Sequence, residues 1–122
     1  MDFRINLSIP VRYMIAARNE DEGKYSLTDF FRGLGGKFSG GGAAFYAAKE
    51  IPVGSLLYVE MFFPFDKNPI CTVSEVLRIK SGVLKGKKVF LCVTRFVLIG
   101  PKEQDRMVAY MIGDGARAQK KT

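Results

Sequence analysis

Phe3-Arg4-Ile5-Asn6-Leu7-Ser8-Ile9-Pro10-Val11-Arg12-Tyr13-Met14-Ile15 alternates apolar and polar side chains without a break. Phe3, Ile5, Leu7, Ile9, Val11, Tyr13 and Ile15 fall on one parity, and Arg4, Asn6, Ser8, Pro10, Arg12 and Met14 on the other. A period of two puts successive side chains on opposite faces, so this stretch predicts a strand with one buried face. Pro10 has no N–H to give a ladder and implies an edge or a bulge where it stands.

Working outward, the same signals recur. Asn19 to Gly23 is acidic, ends in glycine and reads as a turn. Lys24 to Phe31 is expected to be a strand. A glycine-rich stretch follows, with Gly33, Gly35, Gly36, Gly40, Gly41 and Gly42 around Lys37-Phe38-Ser39. Strands are expected at Ala43–Ala48, Ser55–Phe63, Ile70–Ile79 and Val89–Ile99, with a turn at Ile51-Pro-Val-Gly54 and a basic loop from Ser81 to Lys88. After Pro101 the period changes. Met107, Val108, Met111 and Ile112 share one helical face, with acidic residues early and Gly113 as a stop. The tail from Arg117 is polar and expected to fray. About six evenly spaced strands and one C-terminal helix describe a mostly β domain, barrel or sandwich, whose helix covers one opening.

The chain has 122 residues, 48% hydrophobic and 25% charged, which suits one domain over 1–122 with a single core. No apolar run is long enough to span a bilayer, and the alternating start is unlike a signal peptide. A cytoplasmic domain without membrane insertion is therefore expected. Cys71 and Cys92 lie in apolar strand-like runs and are expected to be buried free thiols. Histidine is absent, which removes the usual general base and the commonest metal ligand. No acid–base pair, activated nucleophile or metal set can be assembled, so neither an enzyme nor a cofactor is expected. The net charge of +7 reflects a solvated basic surface or an anionic partner. Nucleic acid, single-stranded or otherwise, is not an expected partner, because no strand interleaves aromatic with basic residues.

Lys37-Phe38-Ser39-Gly40-Gly41-Gly42 resembles the short motif of the PilZ family: Asp or Asn, any residue, Ser, two of any, Gly. Ser39 and Gly42 match, and Lys37 stands where the family has Asp or Asn. Phe3 to Tyr13 resembles the family's first strand, Ile51 to Gly54 its next hairpin, Val93 to Phe96 its late strand and Gln104 to Tyr110 its closing helix. The family's second motif is Arg-x-x-x-Arg. Arg4 matches its second arginine, and the first would fall upstream of Met1.

The resemblance implies a six-stranded antiparallel PilZ-like β-barrel with a C-terminal α-helix. It also implies a receptor module for cyclic di-GMP that passes its signal to a downstream protein partner. The implied ligand set is Arg4, Lys37, Ser39, Gly40, Gly41, Gly42 and Arg95. An arginine fork suits phosphate or the guanine edge, and Ser39 and the glycine backbone offer donors at close range. Other readings stand beside these. Arg4 is equally a solvated strand residue, Ser39–Gly42 a flexible hairpin, and Arg95 an exposed cross-strand partner. Lysine has donors and no acceptor, so Lys37 cannot receive guanine's N1 and N2 protons. It either changes how the ligand is held or marks a protein-interaction domain that no longer binds the nucleotide.

Overall fold

The structure, a computed structural model, describes residues 9–19, 24–64, 67–107 and 109. The described residues form seven strands: β1 (Ile9–Asn19), β2 (Lys24–Leu27), β3 (Phe31–Phe38), β4 (Gly42–Ala47), β5 (Leu56–Met61), β6 (Ile70–Leu84) and β7 (Lys87–Ile99). A short helix, α1, covers residues 101–107. Every strand pairing is antiparallel, in the order β2-β1-β3-β4-β7-β6-β5, and β5 pairs back onto β1. That closure makes a six-stranded barrel, β1-β3-β4-β7-β6-β5, with β2 as an additional strand. Closing the sheet removes the exposed edges of an open one.

The additional strand corrects the expectation of one strand from Lys24 to Phe31. β1 uses one edge twice. Ile9 to Tyr13 pairs with β3, and Ala16 to Asn19 pairs with β2. The chain between β2 and β3 therefore has to cross at Thr28, Asp29 and Phe30. Thr28 ties that crossing to β1: its N–H donates to the Ile15 carbonyl at 3.0 Å, and its Oγ1 accepts the Ile15 N–H at 2.9 Å. Pro10 lies where the β1–β5 ladder ends. Pairing there begins at Val11↔Met61, and the Pro10 carbonyl accepts the Phe62 N–H at 2.9 Å. A residue without an N–H costs no ladder bond in that place.

The predicted inward parity of β1 is the observed one. Ile9, Val11 and Tyr13 are buried, while Pro10 and Arg12 are exposed. They join Phe38, Phe45, Leu57, Val59, Met61, Phe63, Ile70, Val76 and Cys92 in one core. Tyr13 packs on Phe31 and Phe45 with ring centroids 5.6 and 5.2 Å away, and Phe38 meets Phe63 edge-on at 5.0 Å. Burying each large side chain of this kind contributes about 2 kcal/mol. Met107 of α1 is fully buried in the same cluster, so the helix covers a barrel opening as expected. Val108, Met111, Ile112 and the tail lie outside the described residues.

Two stretches outside the expected strands are strand. Gly33, Gly35 and Gly36 belong to β3, where glycine permits close approach. A Cβ on Gly35 would stand 2.4 Å from the Phe38 ring. The basic segment from Ser81 also stays in the ladder, and only Lys85 and Gly86 form the turn. Both have positive φ, 52° and 78°, as a two-residue I′ hairpin turn requires. Cys92 is buried and free, but Cys71 is only half-buried. Its strand turns Ile70 and Thr72 inward, which sends Cys71 to the outer face.

Candidate functional site

The site begins with irregularities in three strands. In β3 the register passes from Gly35↔Phe45 to Lys37↔Ala44, leaving Gly36 as an extra residue. In β6 it passes from Val76↔Thr94 to Arg78↔Val93, leaving Leu77 over. In β7 the steps Val73↔Leu98 and Ser74↔Phe96 leave Val97 over. Bulges bend a strand and re-aim its side chains. Between the first two lies a hollow of about 390 Å³ on the outside of the barrel, across β3, β4, β7 and β6. That is within the size range of small-ligand sites.

Lys37, Ser39, Gly41, Gly42 and Arg95 all line this hollow. Of the remaining expected residues, Gly40 is in the same hairpin but not in the lining. Its carbonyl accepts Gln104 Nε2–H of α1 at 2.9 Å. Arg4 lies outside the described residues. Sequence reasoning missed Arg78 and Leu77, which form the wall opposite the hairpin. Leu91 and Val93 supply an apolar floor.

The β3–β4 hairpin is held by its own residues. Ser39 N–H donates to the Gly42 carbonyl at 2.9 Å, and Gly41 N–H donates to Ser39 Oγ at 3.3 Å. The Ser39 hydroxyl in turn reaches the Gly42 carbonyl at 3.4 Å. The Gly41 carbonyl accepts Phe96 N–H of β7 at 2.9 Å. Phe38, buried between Lys37 and Ser39, turns both neighbours outward. Gly42 is a glycine for a packing reason, because a Cβ there would stand 2.2 Å from the Thr94 carbonyl oxygen. Gly41 faces open space, with nothing within 4 Å of such a Cβ.

The electrostatics are one-sided. Lys37, Arg78 and Arg95 are exposed around the hollow, and among the described residues no carboxylate lines it. Arg95 does have a cross-strand partner. Its Nε donates to Glu75 Oε1 at 2.7 Å, which occupies one of five guanidinium N–H groups. Arg95 is thus both an exposed cross-strand partner and part of the lining. The arrangement can hold a small anion with a flat apolar part. The cations face the charge, and Leu77, Leu91 and Val93 offer surface to the rest.

This architecture is a PilZ-like domain: a closed six-stranded barrel, a hairpin carrying the serine–glycine motif on its outer wall, and a helix at its end. Solved structures agree. The chain superposes on MrkH from K. pneumonia with a TM-score of 0.73 at 14% identity, covering 100% of this chain and 51% of MrkH. MrkH in its apo state gives 0.63 at 13% identity, over 100% of this chain and 53% of MrkH. The PilZ domain of YcgR from Escherichia coli, solved with c-di-GMP, gives 0.61 at 15% identity, over 90% of this chain and 86% of that one. The chain spans about half the length of MrkH. No protein-family profile matches the sequence, and no curated protein does. Identities this low speak for the fold.

Among the described residues no helix is long and apolar enough to cross a membrane, and no group of His, Cys, Asp and Glu is arranged to hold a metal ion.

Proposed function

We propose that this chain is a receptor module for cyclic di-GMP. One observation carries the reading: the serine–glycine hairpin and three exposed cations, Lys37, Arg78 and Arg95, border one hollow on a PilZ-like barrel. Arg95 and Arg78 take the phosphates or a guanine edge through paired N–H donors. Gly41 lets a ligand come close to the hairpin backbone, and Leu77 gives a base an apolar surface. Arg4 contributes a further guanidinium. The β1–β3 register supports that part, since it runs from Tyr13↔Phe31 to Ile9↔Gly35. The direction of β1 towards its start is therefore the direction of β3 towards Lys37 and Ser39. Binding changes the surface shown to a protein partner in the cytoplasm.

A second reading has one observation in its favour. Lys37 has no acceptor for guanine N1 and N2, so the module is alternatively a protein-interaction domain without the nucleotide. Titration calorimetry with cyclic di-GMP separates the two. The receptor reading expects saturable heat that Arg4→Ala weakens by about 1–3 kcal/mol, the range of a charged hydrogen bond. It expects Lys37→Asp to strengthen binding by restoring an acceptor. No heat at millimolar ligand would leave the second reading standing.

A further inference from the structure

The β6–β7 hairpin runs on past the barrel. β5 accompanies β6 only as far as Glu75, and β4 accompanies β7 only as far as Phe90. β6 and β7 stay paired with each other to Leu84↔Lys87. Beyond the barrel they form a two-stranded ribbon closed by Lys85 and Gly86. From Arg78 to Lys88 the chain carries Arg78, Lys80, Lys85, Lys87 and Lys88 and neither Asp nor Glu. All five cations are exposed, and among the described residues none pairs with a carboxylate. This segment thus holds a charge of five against a net charge of +7 for the whole chain.

Where the charges point decides what they fit. Arg78 and Lys80 share a face with Lys87, which stands across from Leu84. Lys88 lies on the other face, across from Val83, and Lys85 is at the tip. A flat anionic surface, whether bilayer or protein, meets one face of a ribbon and leaves the other in water. Both faces and the tip meet anions together only in a groove with a phosphate row on each side. The major groove of B-form DNA is about 12 Å wide and admits a two-stranded ribbon, whereas that of A-form RNA is too narrow for side chains to enter. Val83 is 75% exposed near the tip, an unfavourable place for an apolar side chain in water but a suitable one against thymine methyls.

We propose that this ribbon enters the major groove of duplex DNA, held mainly by the phosphates. Lys85, Lys87 and Lys88 take no part in the cyclic di-GMP reading, so the inference stands apart from it. It arises because the basic segment, expected as a loop, is an ordered pair of strands with a fixed distribution of charge.

The test is fluorescence anisotropy of a short labelled duplex of mixed sequence, titrated with the full chain at several salt concentrations. Beyond the barrel the ribbon carries Lys85, Lys87 and Lys88, and three phosphate contacts give a log–log salt slope of about −2.7, which is about a 40-fold loss of affinity between about 50 and about 200 mM salt. Lys85→Gln, Lys87→Gln and Lys88→Gln together should bring the slope close to zero. A control with the same change in net charge, Arg32→Gln, Lys67→Gln and Lys102→Gln, should leave it unchanged. All six positions are exposed, so folding is not at stake. No anisotropy change at low salt would overturn the proposal. So would an equal loss in the control, or binding to phosphatidylserine vesicles but not to the duplex.

Discussion

The barrel carries arginine on two outer walls and treats it in opposite ways. On the β1–β5 wall, Arg12 Nε donates to Glu60, which is only 8% exposed. The Arg12 guanidinium lies 4.1 Å from the centre of the Phe30 ring and 5.7 Å from that of Phe62. Tyr58 adds a hydroxyl donating to Glu60 at 3.4 Å. This cation is matched in charge and covered by rings. On the β3–β4–β7–β6 wall Glu75 bonds Arg95, while among the described residues Lys37 and Arg78 pair with no carboxylate. The same residue type is consumed by the fold on one wall and left available on the other. Exposure alone does not separate these cases, since Arg12 is itself exposed; partners do.

Four measurements break or sharpen that contrast. Gly42→Ala should have the largest effect, because its Cβ would stand 2.2 Å from a backbone oxygen of β7. We expect about 3 kcal/mol lost in urea unfolding, with the hollow's geometry lost too. Arg12→Ala should cost about 2 kcal/mol, because Glu60 keeps its burial and loses its cation. It should leave the affinity for cyclic di-GMP unchanged in calorimetry. Arg78→Ala should show the reverse, with unfolding unchanged and ligand affinity down by about 1.5 kcal/mol, roughly tenfold. If Arg12→Ala weakens ligand and Arg78→Ala weakens the fold, the contrast is wrong.

The fourth measurement is alkaline and concerns two groups inside both walls. Burial pushes the Cys92 thiol up to about 12 from 9.0. Burial, and then the neighbouring Cys92, push the Tyr13 hydroxyl up to about 12 from 10.0. The unfolded chain releases these protons first. Stability from both groups is whole below about pH 9 and drains away as pH rises towards about 12. The urea midpoint should therefore fall between about pH 8 and about pH 11. A constant midpoint would contradict it.

The barrel was legible where burial alternates locally. Ile9, Val11 and Tyr13 announce an inward face, and Met107 announces the covering helix. The crossing at Thr28 was not legible. It is imposed by β1 changing partner along one edge, a long-range event with no local signature. Arg78 was hidden for a sharper reason. Ile70, Thr72, Ser74 and Val76 are buried on one parity, which by alternation would place Arg78 inside the barrel. One extra residue, Leu77, turns it out into the hollow. The hairpin motif is readable in its letters, and what the letters do not show is the packing reason for Gly42, where Thr94 leaves no room for a Cβ.

Phe38 sits in the core between two outward residues of that hairpin. The outer wall can therefore be rewritten at 37 and 41 while 38 and 42 keep the frame in register. Such a hairpin behaves as a removable faceplate on a fixed mount: its specificity can drift through substitutions that the barrel never registers.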